Sequence, residues 1–311
     1  MEWSESAFSP YAEIRKFEFF MHVPTIATLT AIPPRFHGLM PTLNSLLGQT
    51  LPFDEIRLYI PLEYRRFPQW DGVVPEVPEG VTITRCPKDF GPATKVLPAA
   101  KALRGRNVDL LFCDDDKIYD FNWHKRFKNC AALKPGTCIV EAGETFPDIA
   151  DGARPANRLP RGRRERKNWL YRLKRLASLG LHKPHTYRNS GYVDQISGYG
   201  GVLVRPDWFD DCAFDIPDVM WTVDDPWLSG HLELIGIPIW LNGSGKQPRA
   251  SSVGELNALL KFEELGQGRI AADLMVIEYF RMTYGIWQIG GQAEKDFGRM
   301  TASMKALLRR A

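Results

Sequence analysis

The stretch Val108-Asp109-Leu110-Leu111-Phe112-Cys113-Asp114-Asp115-Asp116-Lys117 constrains the fold of this chain most. A mostly apolar run ends abruptly in three adjacent carboxylates. The apolar part is too short for a typical globular helix and reads as a buried strand. The carboxylates then sit at the strand's carboxyl end, where open α/β sheets bind ligands. In an extended segment Asp114 and Asp116 point to one side and Asp115 to the other. Three adjacent carboxylates repel one another and invite a cation. Their oxygens suit hard ions such as Mg²⁺ or Mn²⁺, and Mg²⁺ commonly combines one or two carboxylates with substrate phosphates. The same run also fits an acidic turn or helix cap that merely closes a strand.

The flanking sequence supplies the rest of such a sheet. Thr25 to Ala31 reads as a first strand, stopped by Ile32-Pro33-Pro34-Arg35, because proline lacks an amide donor and restricts its predecessor. A helix is expected from about Gly38 to Gln49, with Leu39, Leu43, Leu46 and Leu47 on one face. Strands follow at Glu55 to Ile60 and Val81 to Arg85, and Asp89-Phe90-Gly91-Pro92-Ala93-Thr94-Lys95 leads into a helix through Leu103. This order predicts an α/β fold with a mostly parallel sheet flanked by helices. Further on, Trp123 to Leu133 reads as a helix, and Thr137 to Val140 and Ile237 to Leu241 as strands. The tail shows helical patterns at about 252–265, 270–284 and 294–310. Residues 1–22 read as an N-terminal extension, 23–245 as the main domain and 246–311 as a helical C-terminal extension.

Net charge is only +3, but it is unevenly placed. In an insert at about 151–190, twelve Lys and Arg residues meet only Asp151 and Glu165. Its second half, about 166–179, fits a basic amphipathic helix for phosphates or an anionic membrane surface, and equally a solvated loop and helix. No nucleic-acid-binding signature accompanies it. Neither a Walker A sequence nor G-x-G-x-x-G before a helix is present. The five cysteines form no C-x-x-C pair, no apolar run is long enough to span a bilayer, and the start lacks the order of a signal peptide. These features lead us to expect a cytoplasmic protein, with peripheral membrane contact through the insert.

Two more stretches carry chemistry. Ser197-Gly198-Tyr199-Gly200-Gly201 approaches a strand, and its glycines allow a sharp turn or close approach of backbone to a ligand. Trp221-Thr222-Val223-Asp224-Asp225-Pro226-Trp227-Leu228-Ser229-Gly230-His231 is a second acidic site. Asp225 before Pro226 has the form of a helix N-cap and first-turn proline. Asp224, just ahead, is freer to act as a base.

Together, Leu29 to Arg35, Asp89 to Lys95, Asp114 to Asp116, Ser197 to Gly201 and Asp224 to His231 resemble motifs of the GT-A glycosyltransferases, family-2-like bacterial enzymes especially. They fall in the family's order over residues 24–242. The resemblance implies a GT-A fold and a metal-dependent, inverting transfer from a nucleotide-sugar donor to a glycan or lipid-linked acceptor, as in surface-polysaccharide assembly. It implies that Asp114 and Asp116 hold Mn²⁺ or Mg²⁺, with the register open by one residue, and that His231 is a further metal ligand. Thr30, Arg35, Lys95, Asp114 and Asp115 would line the donor site, Gly198, Tyr199, Gly200 and Gly201 the donor–acceptor boundary, and Asp224 or Asp225 would be the catalytic base. The family's Asp-Asp-Gly-Ser-like turn after the second strand is replaced here by Tyr59-Ile60-Pro61-Leu62-Glu63-Tyr64, so UDP is only the default nucleotide. Two rivals share these features: a sugar-phosphate nucleotidyltransferase, and a non-catalytic carbohydrate- or membrane-binding protein on the same scaffold.

Overall fold

The computed structural model describes residues 23–146, 149, 154–165, 186–254, 256, 263–264, 266–288 and 301–310. The expected N-terminal extension and the basic helix at 166–179 lie outside the described residues. The first half follows the sequence pattern: β1 (Thr25–Thr30), α1 (Met40–Leu47), β2 (Glu55–Pro61), β3 (Val81–Cys86), α2 (Leu97–Leu103) and β4 (Asp109–Phe112). After it come β5 (Lys117–Ile118), α3 (Trp123–Leu133), β6 (Cys138–Val140), β7 (Gly191–Val193), β8 (Val202–Val204), α4 (Asp225–Leu234), β9 (Ile239–Leu241) and β10 (Arg249–Ala250).

Eight of these strands form one sheet, in the order β7-β9-β6-β8-β4-β1-β2-β3. Strands β3, β2, β1 and β4 run parallel, as do β9 and β6. Strand β8 runs against both β4 and β6, and β7 against β9. The reversed direction of β8 matters for the site. Its first residue, Val202, sits opposite Phe112, the last of β4. The glycine stretch before β8 is therefore delivered to the acidic run after β4.

Helices cover both faces, so the central strands read as continuous apolar runs. The period of two is still visible in the packing. Ile26, Leu110 and Phe112 face one buried cluster, while Ala27, Leu29, Leu111 and Cys113 face the other. The first cluster also takes Ala272, Met275, Val276 and Phe280 of α5 (Arg269–Tyr284) and Met304 and Leu308 of α6 (Ala302–Leu308). The C-terminal region thus shares the core of the sheet. Helices α4 and α5 cross closely at Gly230, where a Cβ would stand 2.3 Å from the Phe280 ring.

At the described residues of the helical pattern expected at 252–265, residues 252–254 form a turn and Glu263–Glu264 pair with Gln267–Gly268. The turn follows β10, which pairs with β5. Four arginines at the described ends of the insert carry ion pairs. Arg154 and Arg161 both bond Asp194 at 2.7 and 2.6 Å, Arg158 meets Glu233 at 3.1 Å, and Arg164 meets Glu144 at 3.0 Å. Their partners come from outside the insert. Among the described residues no helix is long and apolar enough to cross a membrane.

Candidate active site

A cavity of about 400 Å³ opens at the carboxyl end of β1 and β4. Thr30, Arg35, Lys95, Asp114, Asp115, Asp116, Tyr199, Asp224 and Asp225 all line it, so the two acidic sites of the sequence meet in one place. Its remaining wall includes Tyr64, Arg66, Phe67, Asp89, Trp221, Gly254 and Arg269.

Lys95 joins the two acidic sites. Its Nζ lies 2.7 Å from Asp114 Oδ1 and 2.8 Å from Asp224 Oδ2, with its side chain only 5% exposed. Residues 91–95 form a short 3-10 helix that sets the lysine inward ahead of α2. Phe90 N–H donates to Thr94 Oγ1 at 2.9 Å, and Gly91, at φ 60°, packs where a Cβ would stand 2.5 Å from the Trp221 carbonyl. Gly198 makes room for the ammonium, since a Cβ there would stand 2.4 Å from Nζ. Burial works against the charge of Lys95, but Asp114 and Asp224 outweigh it and hold the lysine protonated well above its ordinary range. Asp114 feels the reverse balance: burial raises its pKa, and Lys95 brings it below the usual value.

The acidic run is not extended. Strand β4 stops at Phe112, and Asp115 and Asp116 form a turn before β5. Asp114 therefore pairs with Lys95 at 2.7 Å, whereas Asp115 and Asp116 share Arg35 at 2.7 and 3.2 Å. The expected pairing of Asp114 with Asp116 on one side is replaced by this split. Asp116 also pairs with Lys117. Burial raises Asp115 to about 6, opposed by Arg35.

Neither acid of the second site acts as a helix cap. Asp224 holds the N-cap position of α4 without a capping bond, and Asp225 is the first helical residue. The Asp225 carboxylate instead accepts the Gly198 N–H at 2.9 Å and faces Arg269 at 3.7 Å. Burial and the neighbouring Asp224 push the Asp225 carboxyl well above the ordinary carboxylate range, against Lys95 and Arg269.

Other expected site residues are placed differently. His231 lies off the cavity, 4% exposed, with its ring 4.8 Å from Trp227 and 5.4 Å from Phe280. It falls on the face of α4 that packs against α5, and burial lowers its pKa to about 4. It packs in the core, away from the cavity. Gly200 and Gly201 serve packing: Cβ atoms there would meet Ala142 at 2.6 Å and Trp123 at 2.2 Å, the latter at φ 93°. The Thr30 hydroxyl donates to the Tyr59 carbonyl at 2.8 Å. Arg269 and Gly254 come from the C-terminal region and belong to no motif, so the sequence gives no sign of them.

Asp114 and Asp116 offer carboxylate oxygens of the kind a hard divalent ion takes. The Asp114 side chain keeps 31% exposure, and Asp116 lines the same wall. They do not form a ready protein cage: among the described residues no three His, Cys, Asp or Glu side chains converge on a metal position.

No family model and no curated protein matches the sequence. Among solved structures, the chain is similar to GalNAc-T7 crystallised with UDP, GalNAc and Mn²⁺, with TM-score 0.46 and 13% identity over 89% of this chain. It spans about half (54%) of that chain. It is similar to Staphylococcus aureus TarS 1–349 in complex with UDP-GlcNAc, with TM-score 0.46 and 12% identity over 84% of this chain and 67% of that one. It is also similar to 2-C-methyl-D-erythritol 4-phosphate cytidylyltransferase of Francisella tularensis, with TM-score 0.37 and 13% identity over 73% of this chain and 93% of that one. At these TM-scores the likenesses carry no activity across; the mixed α/β sheet, its helical faces and its acidic cavity stand on the strand order and contacts of this chain.

Proposed function

We propose that this protein is a GT-A-type glycosyltransferase, moving a sugar from a nucleotide-sugar donor, UDP-sugar by default, to an acceptor hydroxyl with inversion. The observation that carries this reading is the meeting of two acidic sites across Lys95 in one cavity at the carboxyl end of the sheet. One site suits a diphosphate and the other suits a proton acceptor.

Lys95, Lys117 and Arg269 line the cavity and offer positive charge to the phosphates. Asp114 and Asp116 are the residues that would hold Mn²⁺ or Mg²⁺, which when bound offsets charge on a leaving diphosphate. Asp225 takes the proton of the acceptor hydroxyl, and its raised pKa brings it closer to neutral pH, where a general base works best. Asp224 fixes Lys95. Tyr64, Phe67 and Trp221 give the wall aromatic surface for a base or a sugar face. The motif resemblance supports a glycan or lipid-linked acceptor.

A thermal-shift panel of nucleotides and nucleotide sugars, with and without Mn²⁺, tests the reading. A ligand at a hundred times its Kd stabilises the native state by about 2.7 kcal/mol. One nucleoside diphosphate should shift the transition with Mn²⁺ present, and Asp114→Ala should lose the shift. No shift with any nucleotide contradicts the proposal.

A further inference from the structure

Arg35 does not point at the donor side alone. Each of its three guanidinium nitrogens is engaged within the protein. Nη1 meets Asp115 at 2.7 Å and Asp116 at 3.2 Å, Nε donates to the Leu256 carbonyl at 2.9 Å, and Nη2 donates to the Gly254 carbonyl at 3.0 Å. One planar side chain therefore ties the acidic turn, 80 residues on from Arg35, to Leu256, 221 residues on.

That segment is seated by three further contacts. Strand β10 pairs with β5, Arg249 opposite Ile118 and Ala250 opposite Lys117. Ser251 N–H donates to the Asp116 carbonyl at 2.8 Å. Val253, 2% exposed, fills the space that a side chain at residue 38 would take: a Cβ on Gly38 would stand 2.1 Å from Val253 Cγ1. The result sets Gly254 into the cavity wall, where a Cβ would lie 3.5 Å from Asp116 Oδ2.

We propose that residues 249–254 and 256 form a strap over the acidic end of the cavity, and that Arg35 and Gly38 are its receptor. Arg35 is a positioning residue: it sets the strap and the Asp115–Asp116 turn against each other and is not a direct ligand of the donor phosphates. A lysine cannot replace it, because a single ammonium lacks the planar fork that reaches two carbonyls and two carboxylates at once. The ligand's identity rests on the transferase reading; the docking of the strap does not.

The test is amide hydrogen exchange of the 249–256 segment in the full chain, wild type against Arg35→Lys, Gly38→Ala and the double variant Gly38→Ala with Val253→Ala. Both single variants should exchange at least about tenfold faster in this segment, a change of roughly 1.4 kcal/mol in local opening. The double variant restores space and should recover much of the protection. UDP with Mn²⁺ should slow exchange of the strap in the wild type, and both single variants should bind UDP about tenfold more weakly. Unchanged exchange in both single variants overturns the receptor assignment. UDP binding to the wild type without slowing the strap overturns its role over the site. If no nucleotide binds at all, the transferase reading fails while the exchange comparison still judges the docking.

Discussion

Lys95 Nζ stands 2.8 Å from the Asp224 carboxylate, with the two side chains 5% and 4% exposed. Removing one partner of such a pair leaves a buried charge uncompensated, at a cost of about 3–5 kcal/mol. Lys95→Met should therefore lower stability by that order in urea titration and abolish transfer. Asp224→Asn should be milder for stability, because Lys95 retains Asp114 at 2.7 Å.

Asp225 must lose its proton to act as a base. Its carboxyl is held above the ordinary range by burial and by Asp224, so the active form grows as pH rises. We expect kcat to increase with pH well above the region where a free carboxylate titrates. Asp225→Asn should reduce kcat by about 10²–10⁴-fold and remove that limb. A flat profile from pH 5 to 9 would disprove the assignment.

Two glycines of one short stretch should respond differently. Gly198→Ala places a Cβ 2.4 Å from Lys95 Nζ and 3.2 Å from Asp114 Oδ1, so it should weaken nucleotide binding more than stability. Gly201→Ala meets the Trp123 ring at 2.2 Å with φ at 93°, and should cost about 1–3 kcal/mol of stability. Chemical denaturation and nucleotide titration on both variants separate these effects.

His231 titrates in the core. Its pKa is lowered by burial to about 4, below its unfolded value, so the stability it contributes is present above the unfolded value. That contribution is lost as pH falls from about 6.5 toward 4. Replacing His231 with Phe should flatten this part of the stability curve and leave Mn²⁺-dependent nucleotide binding unchanged. Loss of Mn²⁺ dependence in that variant would return His231 to the metal site.

The sequence revealed strands and motifs better than their partners. The run ending at Cys113 is apolar because both faces of β4 are buried, and that requirement is written residue by residue. The direction of β8 has no such local signature, yet it decides that Gly198 meets Asp225. Arg35 shows the same limit. Its charge marks it for an anion, but its commitment to Gly254 and Leu256 depends on where a distant segment returns. The inward face of His231 was not legible either, because a helix face is assigned only by its neighbour, here Phe280 of α5.

Product analysis tests the central claim most directly. The protein is incubated with a panel of nucleotide sugars, Mn²⁺ and candidate acceptors, and in parallel with nucleoside triphosphates, sugar phosphates and Mn²⁺, and the released phosphate species is identified. Transfer predicts release of nucleoside diphosphate, dependent on acceptor and slowed by about 10²–10⁴-fold in Asp225→Asn. Release of pyrophosphate from a nucleoside triphosphate and a sugar phosphate, or release of neither species, would contradict it.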